Sequence, residues 1–250
     1  MQRNPSSQTR IIIQTNAKTL PYGEIVDIFY AAPAAPEPPA PVPPVAPAQP
    51  SQSFLQAVET RRSHYSITNT SPVSDERIVQ VIQHAVTHVP SSWNSQSSRA
   101  LVLFSDEHQW VWDAVVNALK AITGGAKFEA AAGKVNASMR AGHGTVLFFE
   151  DEDVVRDLQA KFPTYKDDFA TWSEQTSGMV QFITWVAIEE EGLGANLQHY
   201  NKLIEAEVKS HFNVPPSWRL VAQMPFGEPN AEPGEKTFHP IEPRVKVYGL

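Results

Sequence analysis

The run SEQTSGMVQFITWVAIEEEGLGANLQHY, Ser173 to Tyr200, constrains the chain more than any other stretch. Eight of the ten residues from Met179 to Ile188 are apolar, with only Gln181 and Thr184 between them. A helix apolar on every side must be buried on every side. This one is too short and too interrupted to cross a bilayer, which takes about 20 residues. Its cover is therefore protein: either the chain's own sheet and helices wrap it, or a second copy covers one face. Glycine takes the left-handed cap conformation readily, so the helix is expected to stop near Gly192. Gly194 and Ala195 are then expected to leave backbone amides uncrowded, where a flat ligand could lie. A plain core helix with a glycine cap is the competing reading.

Ala31 to Pro50 is almost entirely alanine and proline, which builds no core and predicts an extended polyproline-type spacer. Residues 1–50 are expected to form a disordered leader and linker, and residues 51–250 a single domain. The chain lacks cysteine, which excludes disulfides, thiolate metal sites, iron–sulfur clusters and cysteine nucleophiles, and fits a reducing compartment. A net charge of −7 without a Lys/Arg cluster argues against nucleic acid. Early apolar residues run no longer than Ile11-Ile12-Ile13, so neither a signal peptide nor a membrane span is expected. A cytoplasmic or nuclear setting follows. Arg3, Arg10 and Lys18 among Ser and Thr, with no acid in the first twenty residues, keep a mitochondrial alternative open.

Past the linker, Ser53 is placed to cap a helix carrying Phe54, Leu55, Ala57 and Val58. The helix runs into Arg61-Arg62-Ser63-His64-Tyr65. Paired guanidiniums beside a serine suit an anion clamp, the alternative being a solvated basic helix end. Ser74-Asp75-Glu76 opens a second helix, with Ile78, Val81, Ile82, Ala85, Val86 and Val89 on one face. His84 and His88 share zinc-ligand spacing, but Ala85 stands where a metalloprotease has glutamate, so no metal is expected. After Pro90 the polar loop Ser91-Ser92-Trp93-Asn94-Ser95-Gln96-Ser97-Ser98-Arg99 leads into a strand over Ala100–Ser105. Asn and Gln each offer a donor and an acceptor, which suits the edge of a heterocycle; a polar turn is the plainer alternative.

Asp106 is expected to cap a helix bearing Val111, Trp112, Val115, Leu119 and Ile122, and a weaker helix is expected over Phe128–Arg140. Gly142-His143-Gly144 precedes the apolar strand Thr145–Glu150. A phosphate-binding glycine loop follows a strand instead, so a dinucleotide fold is rejected. Asp151–Phe169 is expected to form a helix and a lid, and Leu203–Phe212 a helix. Strands are expected over Trp218–Met224 and Arg244–Tyr248, with Lys236 between them available to an anion. About six helices against four strands make the domain α+β.

Arg61-Arg62-Ser63-x-Tyr65, Asn94-Ser95-Gln96-x-x-Arg99 and Gly192-Leu-Gly-Ala-Asn-Leu-Gln-His-Tyr200 stand in one order and spacing. Together they resemble the nitroreductase family of FMN-dependent oxidoreductases. The closer likeness is to the fungal nitroreductase-like, or fatty-acid-repression-mutant, branch, which has small bacterial relatives. The resemblance covers Ser51 to Leu250. It implies a nitroreductase-like α+β fold: a mostly antiparallel central sheet flanked by helices, and a long buried helix at the interface of a homodimer holding FMN. It further implies phosphate and ribityl contacts from Arg61, Arg62 and Ser63, with Tyr65 nearby. Asn94 and Gln96 are implied at the ring edge and ribityl chain, while Ser91 and Ser92 reach the partner subunit's flavin. Leu193 and Gly194 are implied against the ring, and Lys236 and Arg244 as a basic pair completing the phosphate site.

The implied activity is hydride transfer from NADH or NADPH, then reduction of a nitroaromatic, quinone or similar acceptor in the same pocket. No catalytic acid or base is required if hydride passes between stacked rings. Trp93, Phe128, Tyr165 and Phe169 are candidates for the acceptor-side walls. Two alternatives stand beside this reading: a regulatory flavoprotein in lipid signalling or oxidative stress with little turnover, and a flavin-free protein whose Pro41-Val-Pro-Pro44 recruits SH3-like partners.

Overall fold

The computed structural model describes residues 53–250, so the leader, the linker and the Pro41–Pro44 motif lie outside the described residues. Helix α1 (Phe54–Thr60) begins with a reciprocal box: Gln56 N–H donates to Ser53 Oγ at 3.4 Å and Ser53 N–H to Gln56 Oε1 at 3.1 Å. Helix α2 (Asp75–His88) starts behind Ser74, whose hydroxyl accepts from Arg77 N–H at 3.3 Å. Strand β1 (Ser98–Phe104) runs straight into α3 (Ser105–Ile122), so the helix starts ahead of the expected Asp106 cap, and Asp106 and Glu107 sit in its positive first turn. Helix α4 (Gly125–Val135) ends in a π turn over Asn136–Arg140. There follow β2 (Gly144–Asp151), α5 (Glu152–Lys161), a single turn at Pro163–Tyr165 and the long helix α6 (Phe169–Glu190). The two-residue β3 (Gly194–Ala195), α7 (Asn201–His211) and β4 (Trp218–Gly227) complete the order.

The sheet is antiparallel throughout, in the order β1-β2-β4-β3. Alternate residues of β2 point to opposite faces, and both faces are covered. Val146 and Phe148 join Ile78, Ile82, Val180, Ile188 and Leu193 beneath α2 and α6. Leu147 and Phe149 join Val111, Trp112, Val115, Ile204 and Val208 beneath α3 and α7. An unbroken apolar strand is what such two-sided burial requires.

The strand expected over Arg244–Tyr248 does not form. Alternating apolar residues make a strand only against a free sheet edge, and this chain's edges are β1 and the very short β3. Ile241, Val245, Val247 and Tyr248 instead lie exposed in a stretch without helix or strand. The fourth strand is β3, from the glycine-punctuated loop.

Helix α6 ends as the glycine predicts. Gly192, at φ +84°, donates its N–H to Glu189 O (3.0 Å), and Leu193 N–H donates to Ile188 O (3.3 Å), the paired bonds of a Schellman cap. Arg77 Nη2 reaches Glu191 Oε1 at 2.6 Å and ties α2 to that end. The described residues do not cover the helix all round. Gly178 and Met179 are exposed and Phe182 and Trp185 half-buried, leaving one apolar flank bare. Among the described residues no helix is long and apolar enough to cross a membrane.

One buried polar chain fixes α3 on β2. Trp112 Nε1–H can only donate, and gives its proton to Thr145 Oγ1 at 2.9 Å. The threonine proton then goes to His108 Nδ1 (2.8 Å), so the imidazole carries its own proton on Nε2, facing Arg140 O at 3.2 Å. Burial pushes this histidine down to about 4, with the Arg140 carbonyl opposing. The folded value lies below the unfolded one near 6.5, so the contribution is intact above 6.5 and lost as pH falls towards 4. The loss is roughly 3 kcal/mol. His108→Gln is expected to lower stability at pH 7.5 yet flatten the decline between pH 6.5 and 4.5. Chemical denaturation at several pH values checks this; equal slopes for the two proteins would contradict it.

Candidate functional site

Helix α1 ends at Arg61, and the chain continues extended across the end of α6. Ser63 bridges in parallel to Ala195, and His64 N–H donates to Ala195 O at 2.9 Å. Between them Arg62 N–H donates to the Glu189 carboxylate, at 3.0 Å from Oε2 and 3.3 Å from Oε1. Glu189 Oε1 also accepts from Trp185 Nε1–H at 2.8 Å, one helical turn back. Over the face of that indole lies the Arg61 guanidinium, 4.4 Å from the ring centroid, a cation–π contact. Arg62 turns away and donates through Nη2 to Gly234 O.

A cleft of about 340 Å³ opens beside this group, lined by Arg61, Gly178, Gln181, Phe182, Trp185 and Leu197. It lies on the bare flank of α6. Two groups close to Arg61 and Arg62 are held away from their usual protonation. Burial pushes Glu189 up to about 7, against the pull of its two N–H donors and the Arg61 and Arg62 charges. Burial holds His64 below its ordinary range, the two arginines adding to the effect while Glu232 opposes it. His64 Nδ1 is buried without a hydrogen-bond partner.

The rest of the anticipated residues are placed as follows. Tyr65 is exposed, with Lys134 Nζ 5.7 Å from its ring centroid. Leu193 is buried in the core beneath α2 and α6. The uncrowded backbone expected at Gly194 and Ala195 is already filled: a Cβ on Gly194 would stand 2.8 Å from His64 Cβ, and Ala195 has no exposed surface. These residues pair with Gly227 and Phe226 in the sheet, and of that loop Leu197 lines the cleft. Lys236 and Arg244 are exposed in the carboxy-terminal stretch. Lys236 nevertheless follows Gly234, the acceptor of Arg62, by two residues.

Ser91, Ser92, Asn94 and Gln96 lie at the opposite end of α6. Trp93, Asn94 and Gln96 all have φ near +50°, a region non-glycine residues seldom adopt without support. The support is dense. Asn94 N–H donates to Ser91 O and Gln96 N–H to Ser91 Oγ, each at 2.9 Å. Arg99 reaches Gln96 O at 2.5 Å and Asp151 at 3.0 Å. The Trp93 ring is held between Phe162, Tyr165, Phe169 and Trp172, with centroids 5.4–5.6 Å away. Trp93, Tyr165 and Phe169 thus pack on one another, and Phe128 stands elsewhere, on α4.

From Trp172, under that loop, to Trp185, under Arg61, is thirteen residues, about 20 Å of helix at 1.5 Å per residue. One chain therefore does not bring Arg61 and Asn94 together.

Sequence reasoning missed Trp185, Glu189, Gln181 and Leu197. The i,i+4 spacing of Trp185 and Glu189 puts both on one helix face and was the available signal. It also missed Glu150, fully buried at the end of β2, which accepts from Ser97 Oγ (2.6 Å), Ser173 Oγ (2.5 Å) and Ser98 Oγ. Removing that acceptor strands three buried hydroxyls, each costing about 1 kcal/mol or more. Glu150→Ala is accordingly expected to lower stability by about 3 kcal/mol and to raise amide exchange over residues 91–98. Unchanged exchange there would show that the loop is held by other contacts.

Comparison with known proteins bears on both ends of α6. The nitroreductase family model matches residues 58–228. The Saccharomyces cerevisiae relative HBN1 is 37% identical over 199 residues, 78% of this chain and 97% of that protein. The solved Lactococcus lactis nitroreductase CinD is 41% identical, with a TM-score of 0.73 over 79% of this chain and all of that one. Its structures hold nicotinic acid, chloramphenicol or 4-nitrophenol. A Desulfovibrio desulfuricans protein solved with FMN shares the fold at 22% identity and a TM-score of 0.57, covering 80% of this chain and 99% of that one.

Proposed function

The chain belongs to the nitroreductase family, and from that premise we propose that this oxidoreductase binds FMN in the cleft beside Trp185 and takes reducing equivalents from NADH or NADPH. The observation that carries the proposal is the make-up of the cleft. Arg61 lines it and can meet a phosphate, and Arg62, next in the chain, brings a second charge that now rests on Gly234 O. Phe182, Trp185 and Leu197 offer apolar surface to a flat ring, and Gly178 projects nothing into the space. His64 Nδ1 is a buried polar atom in want of a partner. Its 340 Å³ reaches the lower range of small-molecule sites, which suits a site completed by a second copy.

The proposal therefore includes a homodimer, in which the bare flank of α6 is covered by its counterpart. The 20 Å between the two halves of the candidate set then has a reason: Ser91, Ser92, Asn94 and Gln96 of one protomer serve the cleft of the other. Arg61 and Arg62 neutralise the phosphate, and Lys236 adds a third charge as the carboxy-terminal stretch closes over Gly234. Bound there, FMN supplies the hydride chemistry. Phe182, Trp185 and Leu197 would hold and orient its ring and keep water from it. Aromatic occupants in the CinD structures support nitroaromatics and quinones as the acceptor class. A cytoplasmic location belongs to the same reading.

Purified protein is expected to show a flavin absorbance band after FMN is added, to elute as a dimer, and to oxidise NADH or NADPH with 4-nitrophenol-type or quinone acceptors. Bound flavin without such turnover would favour a regulatory flavoprotein. Arg61→Ala with Arg62→Ala removes charge-assisted hydrogen bonds of about 1.5–3 kcal/mol each, so FMN affinity is expected to fall at least about 100-fold in a chain that still dimerises. Equilibrium dialysis measures this, and unchanged flavin content would move the phosphate elsewhere.

A further inference from the structure

Glu189 occupies an unusual place for a carboxylate. It is the last residue but one of α6, half-buried, and braces both parts of the anion clamp at once: the Arg62 backbone through its N–H and the Trp185 indole through Nε1–H. Trp185 in turn is the surface on which Arg61 rests. A negative charge thus stands directly behind two arginines whose proposed task is to receive another negative charge. We propose that Glu189 is a positioning residue that takes up a proton when a phosphate dianion docks on Arg61 and Arg62, coupling FMN affinity to pH. The inference rests on the cofactor reading above.

The surrounding groups make this exchange workable. The charges facing Glu189 from the end of α1 are Arg61 and Arg62. On its own helix Glu190 and Glu191 follow, and Glu191 is already paired with Arg77 of α2 at 2.6 Å. His64 is held towards its neutral form by burial, and Glu232 of the carboxy-terminal stretch faces His64. Glu189 lies near its own midpoint at neutral pH because burial has pushed it up to about 7. A docked phosphate draws the arginine charges to itself and adds repulsion, both of which raise the carboxyl further. The neutral acid keeps its carbonyl oxygen as acceptor for Trp185 and Arg62, so the clamp retains its shape when the charge is lost.

The sign follows from linkage. The carboxyl binds its proton more tightly in the complex than in the free protein, so binding takes up protons, and affinity falls as pH rises from the free value near 7 towards the higher value of the complex. A phosphate monoester has its second ionisation near pH 6, so the window from pH 7 to 9 excludes the ligand's own titration.

The test is FMN affinity of the full chain by flavin fluorescence quenching at pH 7, 8 and 9, with riboflavin, which has no phosphate, as control. The wild type is expected to bind FMN about tenfold more weakly at pH 9 than at pH 7, while riboflavin affinity does not change. Glu189→Gln, the shape of the neutral acid, is expected to hold its pH 7 affinity through pH 9. Titration calorimetry in buffers of different ionisation enthalpy is expected to show proton uptake by the wild type and none by Glu189→Gln. Parallel pH profiles for the two proteins, or wild-type binding without proton uptake, would overturn the role of Glu189 and leave the cofactor reading standing. No FMN binding by wild type at any pH overturns both.

Discussion

A helix with apolar residues on all its faces has to be enclosed, and the architecture follows from how α6 achieves this. Val180 and Ile188 pack with β2, β4 and α2, which explains why β2 is apolar on both faces from Val146 to Phe149 while α3 and α7 cover its other face. The enclosure is incomplete within one chain, since Gly178, Met179 and Phe182 keep a bare flank. That flank is also where the cleft lies. On the proposed reading, the flank that a second copy would cover also supplies a wall for a planar ligand, so assembly and binding would draw on one surface.

Local chemistry that depends on neighbours in sequence was legible at most helix ends, the Asp106 cap excepted. Ser53 and Gln56 form their box, Ser74 caps α2, and Gly192 ends α6 with a positive φ. Two-sided burial of β2 could be read from its unbroken apolar run. Arg244–Tyr248 misled because alternation states a preference for pairing without saying whether an edge exists to pair with. Gly194 misled for a related reason: glycine signals a close approach, but whether to a ligand or to His64 depends on the tertiary fold.

Side-chain partnerships across long separations were the least legible part of the site. Arg62 and Glu189 stand 127 residues apart and Ser97 and Glu150 stand 53 apart, and no spacing rule connects them. The left-handed run at Trp93, Asn94 and Gln96 is similarly silent in sequence, because none of the three is glycine. Its conformation is imposed by an aromatic nest that the chain delivers from elsewhere and by Arg99, three residues past Gln96. The family resemblance ordered the candidate residues along the chain, but did not show that Arg61 and Asn94 sit at opposite ends of one helix.

Trp185 gives this arrangement an optical consequence. Its indole is hydrogen-bonded to a carboxylate, lies under a guanidinium and borders the cleft, whereas Trp112 is sealed in the core on the far side of the sheet. A chromophore settling beside the first would drain its excited state. The polypeptide thus carries a reporter emitter at its cleft, and its ultraviolet emission can register what enters and leaves.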